Sequence, residues 1–595
     1  MTSRDRRQNT GGRGARRRRG TSSYDEAIRG QERERRRRGA PRPSESRLPL
    51  PIILCILFAL VVGKLVWLQV VEAQGLSAKA QSVATSSVTL TAKRGTIYDR
   101  NGNVLATSVE CRTLYCNPKA ITDKGAVAQV LADKLGGSAS DYLETVSQTT
   151  TFAYLKRQVD TDVATAVTTE LAQRKLEGVY TLPDVKRVYP YGSVAGQVLG
   201  FLGTDGHGLS GLELQYDDVL SGTDGKMLME RGLDGTPVAG GASQIEEATD
   251  GTDIVVSLDA NVQQVAEEQL TQAVADAKAV SGNVVVTDPA TGEIIAACSL
   301  PLYDPTNSST LTNDALKLTS VSDSYEPGST FKILTMAIGY DTGTIDKNST
   351  FTVPAKVKVG DDYVTDDDGR DYTMDMTPTE IMRRSSNAGA ATVGMTIGSD
   401  KFAAGLEKFG IGSVTGVDFP GESAGIVTPR DQYTGASVGS MSFGQGVAFP
   451  SMQLARAVGA VANGGVLTTP HFLVQKGADK VDWGKGSQAV SADAASAVTD
   501  DMRVVVEDGT GKKAKVDGYD IVGKTGTGEQ ASSEGGYQEN HFLSSFVGFN
   551  AGDGQRVLCY VGIYGTAQHG STAAAPAFSA IMGEALTDLG VQPTS

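Results

Sequence analysis

The most continuous apolar segment of the chain is residues 48–71. Its 24 residues include one charge, Lys64, and neither Asp nor Glu. About 20 apolar residues in a helix cross a bilayer, so the segment predicts a transmembrane helix. The arginine-rich segment before it predicts a cytoplasmic N-terminus and an extracytoplasmic body. That basic segment is too long for a cleaved signal peptide, and no A-x-A-like site follows. We therefore expect an uncleaved, single-pass anchor in the cytoplasmic membrane.

Charge differs sharply between the two sides of this anchor. Residues 1–47 carry 16 Arg, no Lys and six Asp or Glu, a net charge of +10, whereas the whole chain carries −14. The remainder therefore carries −14 − 10 = −24. Because the basic head has almost no large apolar residues, it is predicted to be a disordered cytoplasmic tail. Such heads occur in nucleic-acid-binding arms and beside membrane anchors. The apolar run favours the second, so no nucleic-acid partner is expected.

Residues 72–250 alternate short periodic segments with Gly-rich turns. Residues 126–135 and 163–174 have helical periodicity, and the Asn-Gly pair at residues 101–102 predicts the tip of a hairpin. No catalytic combination of side chains occurs here, so we interpret this part as an irregular α+β pedestal domain. Cys111 and Cys116 would lie about 16 Å apart in an extended segment. That is too far for a disulfide, and no bridge is predicted.

From residue 251 onward, the pattern predicts one larger α+β domain. Asp259 is a predicted N-cap for a helix over residues 261–278. An antiparallel sheet built from both ends of the domain, with helices on each face, fits the order of the predicted elements. Its strands are expected at residues 283–287, 293–298, 520–524, 543–549 and 556–563, with a mainly helical insert over residues 340–510 and a closing helix over residues 577–589.

A candidate nucleophile precedes a predicted helix over residues 330–338. Pro327 and Gly328 interrupt the preceding segment, which places Ser329 at the helix N-terminus. There, free N–H groups and the helix dipole favour developing negative charge. Lys332 projects from the same face. A serine needs an adjacent base, and a lysine can be that base only where burial or a second cation lowers its pKa. No other lysine of the chain has a serine three positions before it.

Two further motifs extend this combination. Residues 385–387 are Ser-Ser-Asn after a helical run, and they supply a hydroxyl and an amide. Residues 524–527 are Lys-Thr-Gly-Thr after an apolar run, as at the edge of a strand. S-x-x-K, S-x-N and K-T-G in this order are the signature of penicillin-binding proteins and class A β-lactamases.

Other short patterns fail in their context. Residues 518–525 match the phosphate-binding pattern G-x-x-x-x-G-K-[ST], but strand-like residues lie inside the supposed loop and no helix is predicted after it. The acidic residues between 361 and 375 lack EF-hand spacing and predict a solvated loop. The four His are scattered without the spacing of metal ligands. We therefore expect neither a metal nor another cofactor.

Over residues 48–595 the chain resembles the class B penicillin-binding proteins. The resemblance implies a transmembrane anchor (48–71), a dimerisation or pedestal domain (72–250) and a transpeptidase domain of the penicilloyl-serine transferase type (251–595). One departure is Leu-Thr-Ser at residues 318–320, where the family often has Asn-Arg-Ala, and this leaves the subgroup open. Besides the three motifs, the resemblance rests on runs at residues 94–106, 187–190, 208–213, 443–446, 463–465 and 509–512.

The resemblance also implies a function. Its members are D,D-transpeptidases that cross-link peptidoglycan stem peptides ending in D-Ala-D-Ala on the outer face of the cytoplasmic membrane, and they bind β-lactams covalently. The implied partners are a membrane glycosyltransferase of the shape, elongation, division and sporulation (SEDS) family and other cell-division or elongation proteins.

The implied roles of the motif residues follow the same resemblance. Neutral Lys332 takes the proton of Ser329, while Asn387 orients Lys332 and the substrate amide. Ser385 relays a proton to the leaving D-Ala, and Lys524 supplies positive potential. The remaining implied contacts are the backbone N–H groups of Ser329 and Thr527 as an oxyanion hole, and Thr525, Gly526 and Thr527 as the site of the substrate carboxylate.

Three alternatives remain open. A β-lactamase-like hydrolase requires a deacylating base, and no E-x-x-L-N occurs between Asn387 and Lys524. A D,D-carboxypeptidase shares all three motifs, and only the pedestal and the anchor argue against it. A non-catalytic scaffold for a glycosyltransferase is disfavoured because every motif residue is present. Whether division, elongation or sporulation is served, and which amine accepts the acyl group, is left open.

Overall fold

The computed structural model describes residues 49–71, 85–151, 153–231, 237–531 and 537–594. These fall into two compact units, residues 1–81 and 82–595, and each is described by itself. The predicted basic tail, residues 1–47, lies outside the described residues. In the first unit, helix α1 (Pro49–Val66) continues into a π-helical turn (Trp67–Val71). Its stretch Pro51–Gln69 has a mean hydropathy of 2.5 and is a candidate membrane span by length and composition.

The second unit begins with two sheets. The smaller is antiparallel and contains β1 (Thr85–Leu90), β6 (Gly225–Arg231) and β7 (Pro237–Glu246). The larger is organised on β3 (Val104–Cys116), which the predicted Asn-Gly turn joins to β2 (Ile97–Tyr98). This larger sheet runs across the boundary predicted at residues 250–251. Its other strands are β4 (Ala153–Asp160), β5 (Val179–Val188), β8 (Ile254–Val256), β18 (Leu473–Lys476) and β19 (Asp479–Lys480).

A small apolar core stabilises the pedestal part of this unit. Val127, Leu131 and Val167 pack with Leu114 of β3 in one buried cluster. Both helices predicted from periodicity occur here, while Cys111 and Cys116 are buried and unbridged. The helices of this part are α2 (Lys124–Leu135), α3 (Ala139–Val146), α4 (Thr161–Gln173), α5 (Gly196–Leu199), α6 (Gly211–Gln215) and α7 (Asp217–Leu220).

A buried cluster of charges joins three of the family-like runs. Glu213 is fully buried and accepts hydrogen bonds from Arg94 Nε at 2.5 Å and from Arg187 Nε at 2.7 Å. Arg94 also donates to Asp217 at 2.6 Å through Nη1. Removing Glu213 would take the carboxylate partner from the buried Arg187, while Arg94 would keep Asp217. Breaking a buried ion pair by removing one partner costs about 3–5 kcal/mol. These runs therefore meet in space although Arg94 and Glu213 are 119 residues apart.

A five-stranded antiparallel sheet lies at the centre of the larger domain. In spatial order its strands are β10 (Ile294–Ser299), β9 (Ser281–Thr287), β23 (Leu558–Thr566), β22 (Tyr537–Asn550) and β21 (Ile521–Ala531). Val284 and Val286 of β9 pack in one core cluster and Val285 in another, because successive side chains of a strand point to opposite faces. Helices α8 (Ala260–Asp276) and α17 (Ala574–Asp588) contribute to the first cluster. Helices α15 (Ser451–Ala462) and α16 (Ala492–Glu507) contribute to the second. The predicted α+β sheet, with helices on both faces, is confirmed.

The insert predicted to be mainly helical also contains short ribbons. Over the described residues, four two-stranded ribbons connect its helices: β11 (Phe351–Val353) with β14 (Met374–Met376), β12 (Val357–Val359) with β13 (Asp362–Val364), β15 (Ile426–Val427) with β16 (Val447–Ala448), and β17 (Val466–Leu467) with β20 (Ser487–Gln488). The remaining helices are α9 (Thr319–Ser322), α10 (Lys332–Asp341), α11 (Pro378–Arg384), α12 (Asn387–Ile397), α13 (Ser399–Lys408) and α14 (Ser437–Met441).

Candidate active site

Ser329 lies on a 3₁₀ turn (Gly328–Phe331) that leads into α10. The α-helix therefore begins at Lys332, slightly later than predicted, and Ser329 lies in the tighter first turn. Gly328 has φ = 57°, and a Cβ there would lie 2.7 Å from the backbone oxygen of Thr527. Because only glycine tolerates both conditions, it lets the serine-bearing turn pack directly against the end strand of the sheet.

Lys332 Nζ has four oxygens at hydrogen-bond distance, and the Ser385 hydroxyl, at 3.3 Å, is the farthest of them. The Lys332 Nζ atom lies 2.7 Å from Ser329 Oγ, 2.7 Å from the Ser385 carbonyl oxygen and 2.6 Å from Asn387 Oδ1. The two carbonyl-type oxygens can only accept, whereas the Ser329 hydroxyl can also donate. A neutral amine has two N–H groups and one lone pair, so its N–H groups satisfy the two carbonyl oxygens. Its lone pair then remains for the Ser329 proton.

The Ser385 backbone occupies the left-handed region, with φ = 61° and ψ = 36°. This is unusual for a residue other than glycine and marks a constrained turn, here between α11 and α12. Ser386 stabilises the far side of the turn, because its hydroxyl caps α12 by accepting from the Gly389 N–H at 2.9 Å. The turn brings both the carbonyl and the hydroxyl of Ser385 to Lys332, the hydroxyl at 3.3 Å.

The Lys-Thr-Gly-Thr motif lies on β21, an edge strand of the five-stranded sheet. Lys524 Nζ donates to Ser385 Oγ at 2.8 Å and to the backbone carbonyl oxygen of Thr525 at 3.0 Å. The Thr525 hydroxyl is 2.7 Å from that of Thr510. At Gly526, a Cβ would lie 2.3 Å from a serine hydroxyl on β22. A side chain at that position would therefore displace this hydroxyl and the Thr330 methyl group, which would lie 2.9 Å away.

Both lysines are fully buried. Burial lowers the pKa of Lys332 to about 7, and the carboxylates of Asp367 and Asp366 act in the opposite direction. Burial also lowers the pKa of Lys524 well below its ordinary value, and the nearby Lys332 lowers it further. The two amines share the Ser385 hydroxyl, so a proton on either one disfavours a proton on the other. The site can therefore hold a neutral lysine at neutral pH.

Two acidic residues that we predicted as a solvated loop contact this site. Asp366 is buried and accepts from Ser386 Oγ at 2.7 Å, and Asp367 accepts from Asn387 Nδ2 at 3.0 Å. The prediction of a wholly solvated loop was therefore wrong for Asp366, whereas Asp367 is exposed as predicted but also contacts Asn387. Nothing in the local sequence indicates the contact, because the loop lies 20 residues before Ser386 and Asn387.

The phosphate-binding alternative at residues 518–525 is not supported by the fold. Lys524 and Thr525 lie inside β21, where a phosphate-binding loop would require the start of a helix. Among the described residues, no three His, Cys, Asp or Glu side chains are placed to hold a metal ion.

The Ser–Lys pair, the Ser–Asn pair and the Lys-Thr-Gly strand thus form one connected set of contacts, in which Lys332 reaches Ser329 and Asn387 and both lysines reach the Ser385 hydroxyl. This geometry defines the serine acyltransferases that react with penicillin, a class that includes penicillin-binding proteins and class A β-lactamases. Residues 282–583 match the family described as "Penicillin binding protein transpeptidase domain", and residues 89–256 match "Penicillin-binding Protein dimerisation domain". The chain belongs to the class B penicillin-binding proteins.

Individual relatives extend over most of the chain. The probable peptidoglycan D,D-transpeptidase PenA of Neisseria meningitidis is 33% identical over 565 residues, 93% of this chain and 94% of that protein. A putative peptidoglycan glycosyltransferase from Atopobium parvulum is 41% identical, with a TM-score of 0.67 over 85% of this chain and 100% of that chain. Penicillin binding protein 3 from Mycobacterium tuberculosis, complexed with aztreonam, is 27% identical, with a TM-score of 0.66 over 85% of this chain and 98% of that chain.

Proposed function

We propose that this chain is a serine-type peptidoglycan D,D-transpeptidase that works through an acyl-Ser329 intermediate. The observation that carries this proposal is the set of contacts around Lys332, which leaves its lone pair for the Ser329 hydroxyl proton. Its substrates are stem peptides ending in D-Ala-D-Ala, and β-lactams acylate the same serine. The reaction requires neither a metal nor another cofactor.

In the acylation step, Ser329 Oγ attacks the carbonyl carbon of the penultimate D-Ala while Lys332 Nζ takes the hydroxyl proton. The backbone N–H groups of Ser329 and Thr527 stabilise the oxyanion, a contribution that is usually large in acyl transfer. When the intermediate collapses, the C–N bond breaks. The Ser385 hydroxyl, which lies between the two lysines, passes its proton to the departing D-Ala amine and takes the proton that Lys332 accepted from Ser329. A second stem-peptide amine then attacks the ester carbonyl carbon and gives a proton to Lys332, and Lys332 returns that proton to Ser329 Oγ as the ester C–O bond breaks.

Lys524 is proposed as the cation of the pair during the reaction. Without an anion nearby, burial works against its charge. A substrate carboxylate held by Thr525, Gly526 and Thr527 favours a proton on Lys524, because an adjacent opposite charge stabilises the charged form. That proton in turn keeps Lys332 neutral. Asn387 holds Lys332 in place and binds the substrate amide.

The test is a covalent adduct with a labelled penicillin. Ser329 in the wild-type protein should form a stable adduct that a peptide map assigns to that residue, and Ser329→Ala should form none. Ser324→Ala is the matched control, because Ser324 is an exposed serine five residues earlier on the same segment. An adduct elsewhere, or none at all, contradicts the assignment, and the latter favours the scaffold alternative. Rapid release of hydrolysed drug favours the β-lactamase alternative.

A second assay separates the transpeptidase from a D,D-carboxypeptidase. Both enzymes release D-Ala from a stem-peptide substrate, but only the transpeptidase joins the acyl group to an added amine. Product analysis with a pentapeptide donor and an amine acceptor should show a joined product. Hydrolysis alone, at every acceptor concentration, would favour the carboxypeptidase.

The topology, domain bounds and partner belong to the same proposal. The arginine-rich head before the apolar helix supports a cytoplasmic N-terminus, an anchor over residues 48–71 and an extracytoplasmic body with domains 72–250 and 251–595. Membership in class B supports a SEDS-type glycosyltransferase and other division or elongation proteins as partners. Affinity purification from solubilised membranes should recover that glycosyltransferase, and recovery no higher than with an unrelated single-pass protein would contradict this.

A further inference from the structure

The side-chain amide of Asn387 lies between a hydrogen-bond donor, Lys332, and a hydrogen-bond acceptor, Asp367. Its Oδ1 accepts a hydrogen bond from Lys332 Nζ at 2.6 Å, and its Nδ2 donates to Asp367 Oδ1 at 3.0 Å. Turning the amide over would place its N–H groups against the Lys332 nitrogen and its oxygen against the Asp367 carboxylate. An ionised carboxylate can only accept hydrogen bonds. Asp367 therefore favours the orientation seen here over the reversed one.

This orientation determines which group the Lys332 lone pair faces. With Oδ1 facing the lysine, one N–H of the neutral amine is used by Asn387, and the Ser385 carbonyl at 2.7 Å uses the other. The lone pair then faces Ser329 Oγ, also at 2.7 Å. In the reversed orientation, an Asn387 N–H would compete with the Ser329 hydroxyl for that lone pair. The Lys332 lone pair would then be less available to accept the proton of Ser329.

The loop between β13 and β14 holds Asp367 in this position. On one side, Asp366 is buried and accepts from the Ala388 N–H at 2.9 Å and from Arg370 Nε at 3.0 Å. On the other side, Asp368 accepts from Arg384 Nη2 at 2.6 Å. Both neighbours of Asp367 are therefore tied to the segments around the Ser-Ser-Asn motif. The exposed carboxylate between them is held against the first turn of α12.

We propose that Asp367 is a positioning residue for the acyl transfer assigned to Ser329: it holds the Asn387 amide so that the Lys332 lone pair remains on the serine hydroxyl. This rests on the proposed function and extends it to a residue outside the three motifs. Asp367 acts through Asn387 and does not contact Ser329 or the reacting atoms itself.

Its charge has a separate, measurable effect. The groups that face Lys332 are Asp366 and Asp367 from this loop and Lys524 from β21, and Asp366 is already paired with Arg370. The Asp367 carboxylate raises the pKa of Lys332 against the effect of burial. Without that charge the pKa of Lys332 falls, and the neutral base persists to lower pH. The acid limb of the acylation rate therefore moves to lower pH when the charge is removed.

Three variants separate these effects when the second-order acylation rate with a fluorescent penicillin is measured from pH 5 to 9. Asp367→Ala removes the acceptor and the charge, so its plateau rate should fall by up to ~10²-fold, as for a displaced reacting group, and its acid limb should move to lower pH. Asp367→Asn removes the charge but carries an amide that can either accept from Asn387 or donate to it, so it favours neither orientation. Its plateau should lie between those of the wild type and Asp367→Ala, and its acid limb should show the same shift. Asp371→Asn is the matched control, an exposed aspartate on the same loop for which the described residues show no hydrogen bond or ion pair. Asp371→Asn should change neither the plateau rate nor the pH of the acid limb.

A double-mutant cycle distinguishes positioning from general damage to the fold. In the Asn387→Ala background, Asp367→Ala should cause no further loss of plateau rate, because the two residues act as one unit. Fully additive losses would overturn the proposal, as would an Asp367→Ala variant that matches Asp371→Asn at every pH. If Asp367→Ala fails to fold, Asp367→Leu takes its place in the same cycle, because leucine is close in size to aspartate and cannot accept a hydrogen bond. A wild-type protein that does not acylate at Ser329 would instead refute the proposed function.

Discussion

Lys332→Arg keeps a cation beside Ser329 but removes its ability to accept a proton. With a pKa of about 7 for Lys332, about half of the wild-type protein has the neutral amine at pH 7, and roughly a tenth has it at pH 6. The wild-type acylation rate should therefore fall about fivefold from pH 7 to pH 6 and level off above pH 8. A guanidinium has a pKa above about 12, so at most about one molecule of the variant in 10⁵ carries a neutral side chain at this position at pH 7.

The matched variant is Lys524→Arg, which places the same substitution at the other buried lysine. Its proposed role is positive potential and carboxylate binding, which a guanidinium can still provide. We expect partial activity, with losses of at most ~10²–10³ for substrates that carry the terminal carboxylate. Lys332→Arg should lose nearly all turnover with every substrate. The measurement is the rapid-mixing acylation rate of both variants with a labelled β-lactam and with a carboxylate-free thioester.

Two results would refute this reasoning. One is a Lys332→Arg protein that acylates as fast as Lys524→Arg while both unfold at the wild-type temperature. The other is a wild-type rate that does not change between pH 6 and pH 8. The first would mean that Lys332 is not the base, and the second that its proton does not limit acylation in this range.

Two further predictions concern topology and stability. A protease added outside intact protoplasts should digest the body over residues 72–595, and a protected body with an accessible arginine-rich head would reverse the proposed orientation. Burial raises the pKa of Glu267 to about 7 from 4.5, so its contribution to folding is present below about pH 4.5 and is lost as pH rises through 7. Glu267→Gln, which can still accept from the Ala195 N–H, should therefore stabilise the protein more at pH 8 than at pH 5, by at most about 3 kcal/mol. A larger gain at pH 5 in denaturant titrations would contradict this.

Local pattern was sufficient for much of the fold and for the three motifs. The apolar run at residues 48–71 and the helix over Pro378–Arg384 follow from chain-local periodicity and composition, which one sequence contains in full. The S-x-x-K spacing likewise places Lys332 beside Ser329, because residues three apart share one helical face. These features depend on neighbours in the chain, so they could be predicted before any tertiary contact was known.

The properties that make Lys332 a candidate base depend on residues far away in the chain. Its contacts with Ser385 and Asn387 span 53 and 55 residues, and the contact of Lys524 with Ser385 spans 139. The lowered pKa of Lys332 results from burial by several elements at once, and desolvation of a charge has no local sequence pattern. Asp367 illustrates the same limit: its composition and neighbours predict a solvated loop, and only the packing of that loop against α12 gives its carboxylate a partner in the site.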